Sequence, residues 1–165
     1  SGHHHPPPTS VNGVGGWSDG LSPHDDADYL VALGTSAVIR TPNSNSGDYS
    51  CTFAGNSLQL GEVGGAKGKL IHKSKGNCVI THNNLILANG QYSHGDGSQT
   101  CNVKGTCTVI SPESAPFQMQ GSGNGGDRKM LWNVAMTGDV GTMFEVSRTS
   151  SAEMLICAHA ARMMA

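Results

Sequence analysis

An acidic loop near the N-terminus carries the densest group of side chains that could bind a metal ion. It reads His24-Asp-Asp-Ala-Asp28, so the carboxylates of Asp25, Asp26 and Asp28 lie within four consecutive positions. Calcium is held by oxygen ligands and tolerates irregular loops, and these aspartates therefore predict a Ca²⁺ site. The loop lacks the spacing of an EF-hand, and aspartate is also common in turns, so a plain turn is the alternative. No other cofactor is expected.

The chain lacks the short motifs of the common enzyme classes. It contains no Gly-x-Ser-x-Gly, no His-Glu-x-x-His, no Walker loop and no Gly-x-Gly-x-x-Gly that opens a helix. Enzymes that cleave polysaccharides place carboxylates close together, whereas the acids between Asp28 and Ser147 are widely spaced. The sequence therefore favours a protein without catalytic activity, and a polysaccharide-active enzyme is kept as an alternative.

Two aromatic residues in loop-like stretches could stack on a sugar ring. Trp17 follows a glycine-rich turn, and Tyr92 precedes the loop that contains His94 and Asp96. Exposed aromatic rings offer a flat apolar face to sugars, so Trp17 and Tyr92 are the candidate glycan-binding residues. Trp132 lies within an apolar phrase and is instead expected in the core.

The elements that must position these residues are short strands, because one short phrase recurs along the chain. It reads Phe53-Ala-Gly-Asn-Ser-Leu-Gln-Leu60, then Thr81-His-Asn-Asn-Leu-Ile-Leu87, and returns near Val109 and Trp132. If Leu60, Leu87, Val109 and Trp132 are equivalent, the steps are 27, 22 and 23 residues. A drifting period of this size, with Gly and Asn turns, is typical of a β-solenoid.

The resulting prediction is an all-β chain with three parts. Residues 1–27 form an irregular arm, 28–149 a right-handed parallel β-helix, and 150–165 a short C-terminal helix that Ser150 or Ser151 could cap. The alternative architecture is a two-sheet, lectin-like sandwich, in which strands pair antiparallel with distant partners.

The five cysteines have no zinc-site spacing, but some fit the repeat. Cys51 and Cys78 are 27 residues apart, and Cys78 and Cys101 are 23 apart. Residues one repeat apart stack on adjacent coils, within Cα reach of a disulfide. Cys51, Cys78, Cys101 and Cys107 are therefore disulfide candidates for an oxidising compartment. Small buried thiols in a reduced protein are the alternative.

Composition argues against several other classes. Charged residues make up 13% and the 165 residues include 23 glycines, which favours a β protein rich in turns. The net charge is −2, and the one basic cluster, Lys67–Lys75, is not interleaved with aromatic residues, so nucleic-acid binding is not expected. No apolar run reaches the length of a membrane span, so no membrane insertion is expected.

Four phrases together resemble a family of secreted right-handed β-helix proteins. They are Asp28-Tyr-Leu-Val, Ile39-Arg-Thr-Pro42, Phe53-Ala-Gly-Asn-Ser-Leu-Gln-Leu-Gly61 and Asn84-Leu-Ile-Leu-Ala-Asn-Gly90. Over about residues 28–147 the chain is similar to passenger-like regions of bacterial autotransporters and related cell-surface repeats. The resemblance implies an extracellular β-helix that acts in adhesion or as a surface structure, and it carries no catalytic residues.

The expected function is that of a secreted, non-enzymatic structural or adhesive subunit. Open solenoid ends favour self-association, so further copies of the chain are the expected partners. A carbohydrate-binding module is the alternative, with a glycan as partner.

Overall fold

All regular structure in the described part of the chain is β-strand. The computed structural model describes residues 2–3, 17–39, 48–72, 77–94, 100–110, 117–121, 129–138, 144–148, 153–156 and 159–160. Its strands are β1 (Gly2–His3), β2 (Asp28–Val31), β3 (Thr35–Ile39), β4 (Tyr49–Thr52), β5 (Ser57–Leu60), β6 (Gly68–His72), β7 (Cys78–Leu87), β8 (Gly90–His94), β9 (Thr100–Val109), β10 (Phe117–Gly121), β11 (Lys129–Gly138), β12 (Phe144–Arg148), β13 (Glu153–Ile156) and β14 (His159–Ala160).

These strands form two sheets between which the chain alternates. The nine-stranded sheet has the order β1-β2-β5-β7-β9-β11-β13, with β4 beside β7 and β14 beside β11; the five-stranded sheet has the order β3-β6-β8-β10-β12. From β5 to β13 each strand pairs with the strand two places before or after it in the chain. Every pairing between described strands is parallel. The antiparallel lectin-like sandwich is therefore wrong.

The strand register confirms two of the three steps in the sequence repeat. Leu60 pairs with Leu87, and Leu87 pairs with Val109. The third step is wrong, because Val109 pairs with Gly138 and the step is 29 residues rather than 23. Trp132 lies in the first half of its strand, so matching the apolar letters alone aligned it with the wrong half of β9.

Inward-facing apolar side chains stack from strand to strand and form the core. One such column contains Tyr29, Leu58, Leu85, Cys107 and Met136, all of them buried. Because side chains alternate across a strand, the residues on either side of this column face outward. Full burial of each large apolar side chain contributes about 1.5–3 kcal/mol.

An aromatic cluster covers the N-terminal end of this core. Trp17 packs edge-on against Tyr29 and Phe53, with ring centroids 4.8 and 6.4 Å away. Trp17 is only 3% exposed. The indole thus covers Tyr29, the first residue of the buried column, and Phe53.

The pairing within the nine-stranded sheet has an irregularity in β7. The pairing of β7 with β9 shifts register between His82 and Leu85. On β9, Gly105 lies opposite His82 with φ of 107°, and a Cβ there would lie 1.9 Å from the His82 carbonyl oxygen. Only glycine fits both the close approach and the positive φ angle.

The helix expected over 150–165 is wrong where this segment is described. Residues 153–156 form β13 and residues 159–160 form β14, both of them parallel to β11. Helix-forming residues are overridden here because an existing strand edge offers hydrogen bonds to the backbone.

Candidate functional site

A polar groove crosses the outer surface of the nine-stranded sheet. It has a volume of about 550 Å³ and runs over β2, β5, β7, β9 and β11, and on β7 it lies just after the irregularity. Its floor consists of the outward positions that flank the buried column of Leu58, Leu85 and Cys107. Alternation along parallel strands therefore places side chains from five strands on one surface.

At one end of the groove, amide and hydroxyl groups surround a carboxylate. The Asn56 amide and the Ser57 hydroxyl both donate to Asp28 Oδ1, each at 2.7 Å. The hydrogen bond from Asn56 has the largest effect on the pKa of Asp28 and lowers it, and the bond from Ser57 lowers it further. The Asp28 carboxyl group is therefore ionised at neutral pH. Asn84 donates from Nδ2 to the Asn56 carbonyl oxygen at 2.7 Å and links the next strand to this group.

Threonine hydroxyls form the other end of the groove. Thr106 donates to the Asn83 carbonyl oxygen. The hydroxyls of Thr108 and Thr137 lie 3.2 Å apart on neighbouring strands. Thr137 also reaches the carbonyl oxygen of Cys107, at 3.5 Å. The groove can thus form many hydrogen bonds, and Asp28 is the one charged residue among those that line it.

The acidic loop does not bring its three aspartates together. Asp28 belongs to the groove, whereas Asp26 contacts His24, whose Nε2 lies 3.3 Å from Asp19. The hydrogen bond with Asp26 has the largest effect on the pKa of His24 and raises it, and the bond with Asp19 raises it further. Within the described residues, no three His, Cys, Asp or Glu side chains group as metal ligands. The Ca²⁺ site expected at Asp25, Asp26 and Asp28 therefore gains no support from the described residues, and it stays a prediction.

The two glycan-stacking candidates are both buried. Trp17 caps the core, and Tyr92 is 0% exposed. The Tyr92 hydroxyl lies 3.0 Å from His82 Nε2, and its ring packs edge-on against Trp132 with centroids 5.2 Å apart. Neither Trp17 nor Tyr92 can therefore serve as a surface platform for sugars. Trp132 is buried, which confirms its expected place in the core.

His82 is a buried titratable group whose burial the sequence analysis does not predict. It is 1% exposed, and its Nδ1 has no hydrogen-bond partner among the described residues. Desolvation by burial lowers the pKa of His82 to about 3. The alternation Cys-Val-Ile-Thr-His along β7 was the available signal, since it places His82 on the same face as Cys78 and Ile80.

The cysteines are arranged only partly as the repeat suggests. Cys78 pairs in register with Cys101, as the 23-residue spacing predicts, whereas Cys51 pairs with Ile80. Among the residues that the structure describes, none of Cys51, Cys78 and Cys107 forms a disulfide bond. Burial raises the pKa of both Cys51 and Cys107, so these thiols are protonated at neutral pH.

Sequence reasoning missed the groove itself. Ser57, Thr106, Thr108 and Thr137 occupy outward positions next to apolar ones, as in Thr-Cys-Thr of β9. Such hydroxyls are common on any solvated strand, so their convergence became visible only with the strand register.

Comparison with other proteins does not assign the chain to a family. No protein-family model matches it, and neither a curated protein nor a solved structure does. No apolar helix of membrane-spanning length occurs among the described residues. The function is therefore inferred from the sheet edges and the groove of the fold.

Proposed function

We propose that the chain is a right-handed β-solenoid that serves as a non-enzymatic structural or adhesive subunit and joins further copies of itself end to end. Its place outside the cell is part of this proposal and comes from the resemblance to secreted β-helix proteins. Fractionation of native cells, with detection of the chain in the surface or secreted fraction, tests that location.

The observation that supports self-association is the state of the five-stranded sheet at its two ends. Within the described residues, β3 pairs with β6 alone, and β12 pairs with β10 alone. The β3 sequence, Thr-Ser-Ala-Val-Ile, contains no charge or proline. Natural edge strands that avoid association usually carry lysine, proline or a bulge. An uncharged edge strand therefore favours pairing with another chain.

The two edges have compatible directions. All strands of this sheet are parallel, so β12 of one copy can extend the same ladder onto β3 of the next. Continuing the observed register places Glu145 beside Ser36 of the next copy and Arg148 beside Ile39. No like charges meet, and a head-to-tail contact of this kind forms open filaments.

Lysines on the β3 edge test the proposal. Ser36→Lys/Val38→Lys adds two charges to the edge, and we expect it to turn concentration-dependent oligomers into monomers with an unchanged circular dichroism spectrum. Gln91→Lys is the matched control, because it adds a charge to an interior strand of the same sheet in the Ser36 register column. Light scattering over a wide concentration range measures the outcome.

Two results would contradict this function. One is a wild-type chain that stays monomeric at every concentration. The other is a β3 double variant that assembles as well as Gln91→Lys, since that would separate assembly from this edge.

A further inference from the structure

The groove on the nine-stranded sheet has a marked preference for ligands that donate hydrogen bonds. The Ser57 hydroxyl hydrogen is used on Asp28, and that of Thr106 on the Asn83 carbonyl. A hydroxyl that donates still has lone pairs with which to accept. In the pair of Thr108 and Thr137, one hydroxyl must likewise donate to the other.

The amides and the carboxylate extend this acceptor character. Asn56 and Asn84 each use one Nδ2 hydrogen for a bond within the protein, which leaves the amide oxygen as an acceptor and one N–H as a donor. The Asp28 carboxylate can only accept while ionised. Acceptors therefore outnumber donors in the groove, which favours a ligand that brings several hydrogen-bond donors and also has acceptors of its own.

Charge narrows the ligand class further. No lysine or arginine lines the groove, so phosphate, sulfate and uronate groups would meet no positive partner and would face Asp28. One carboxylate without a second acid beside it is also a poor site for a divalent cation. An uncharged ligand with many hydroxyl donors remains.

Shape and apolar area complete the fit. Ile86 and Ala135 lie between the polar side chains of the lining and offer apolar surface. A sugar ring combines hydroxyl donors at its edge with a C–H face, so it can use both kinds of lining at once. The groove volume of about 550 Å³ lies within the range of small-molecule sites.

We propose that this groove binds a neutral oligosaccharide, laid across the strands from Asp28 to Thr137. The proposal goes beyond self-association, because the groove lies on a sheet face whereas the open edges belong to the other sheet. The buried rings of Trp17 and Tyr92 have no part in it.

Binding of defined hexasaccharides to the full chain tests the proposal. The probes are cellohexaose, xylohexaose and mannohexaose, with hexagalacturonate as the anionic counterpart, each titrated to millimolar concentration by isothermal calorimetry and by NMR. We expect at least one neutral probe to bind more tightly than hexagalacturonate. The NMR chemical-shift changes on binding should be confined to the strands that form the groove.

Paired variants separate the groove from the rest of the surface. Thr106→Val and Thr108→Val each remove one hydroxyl at nearly constant shape, and each should weaken binding roughly twofold to tenfold. Thr106→Ser keeps the hydroxyl and should retain affinity. Thr81→Val is the control, because Thr81 lies on β7 outside the groove lining.

Three outcomes would overturn the proposal: no neutral probe binds at millimolar concentration, hexagalacturonate binds more tightly than every neutral probe, or both valine variants bind like Thr81→Val. An unfolding curve for each variant shows whether it is folded, and Thr106→Ser provides the comparison if a valine variant is not. A monomeric chain that binds sugar would contradict self-association alone. An assembling chain without sugar binding would contradict the groove alone.

Discussion

Protonation of His82 in the unfolded chain should make the fold less stable as the pH falls, and this loss should begin at a pH well above that at which carboxylates titrate. The imidazole is enclosed by the core and contacts the Tyr92 hydroxyl through Nε2, while no described residue forms a hydrogen bond with Nδ1. A buried N–H without an acceptor is costlier than a lone pair without a donor, so the neutral ring is best accommodated with its proton on Nε2. Protonation at Nδ1 would add both a buried charge and an unpaired N–H.

The size of the effect follows from the two pKa values. His82 titrates at about 3 in the folded chain and at about 6.5 when unfolded. Between these pH values the unfolded chain binds more protons than the folded chain. The free energy of unfolding therefore falls by up to about 1.4 kcal/mol for each unit by which the pH is lowered. Folded stability is therefore intact above pH 6.5 and falls as the pH drops towards 3. From pH 7 to pH 5 we expect a loss of about 2 kcal/mol from His82.

Urea unfolding at pH 7, 6 and 5 measures this loss, with His82→Phe as the variant that keeps a ring but cannot titrate. The difference between the two proteins isolates His82, since other groups contribute equally to both. His24, whose pKa is raised, works in the opposite direction, because its protonation favours the fold. Tyr92→Phe is the control for the lost hydroxyl contact and should keep the pH dependence. Equal losses in wild type and His82→Phe would refute the reasoning.

Three further substitutions test backbone strain, close packing and the cap by urea unfolding. Leu33 is 68% exposed and has a φ of 64°, so Leu33→Asn should stabilise the folded chain by about 0.5–1 kcal/mol. Leu21→Asn is the control, because Leu21 is exposed but has no positive φ, and it should not stabilise the chain. Equal effects of the two substitutions would argue against backbone strain at Leu33. Gly105→Ala should destabilise the fold by roughly 2–4 kcal/mol, because the added Cβ would overlap the His82 carbonyl oxygen. Gly20→Ala should cost about 1 kcal/mol, because Gly20 has a positive φ but open space around it. A similar loss in both variants would contradict the close approach of Gly105 to the His82 carbonyl. Trp17→Ala should destabilise by about 3–5 kcal/mol, and an unchanged unfolding curve would show that the indole is no cap.

Much of the strand pattern could be predicted from sequence because short-range signals determine it. The recurring phrase predicts short strands separated by Gly and Asn turns, and Ser57–Leu60 within its first copy does form a strand. The spacing of Cys78 and Cys101 also matched the register. The fourth repeat was misaligned because Trp132 is apolar and buried like Val109, yet the backbone pairs it with the first half of β9. The apolar residues of a strand show which face of it is buried. They do not show with which buried residue of the neighbouring strand each of them pairs.

The site could be predicted far less well, because it depends on which outward residues become neighbours. Trp17 and Tyr92 stand in polar, glycine-rich surroundings, and nothing local indicates that one caps the core and the other fills it. Asp28 was assigned to its neighbours in the acidic loop, whereas its hydrogen-bond partners, Asn56 and Ser57, come from the next repeat. Contacts between successive repeats decide both cases, and each requires the register to within one residue.

The same stacking of parallel strands that forms the groove would also determine how the groove behaves in an assembly. The groove crosses strands stacked along the direction in which head-to-tail copies would add. Copies joined through β12 and β3 would therefore set their grooves in line at a fixed spacing, and a long polysaccharide could occupy several at once. Simultaneous occupation raises avidity without any new contact. A filament should therefore bind a neutral polymer far more tightly than a hexasaccharide, whereas the Ser36→Lys/Val38→Lys monomer should show little difference between the two. A monomer with the full polymer advantage would mean that the sites engaged by the polymer lie within one chain.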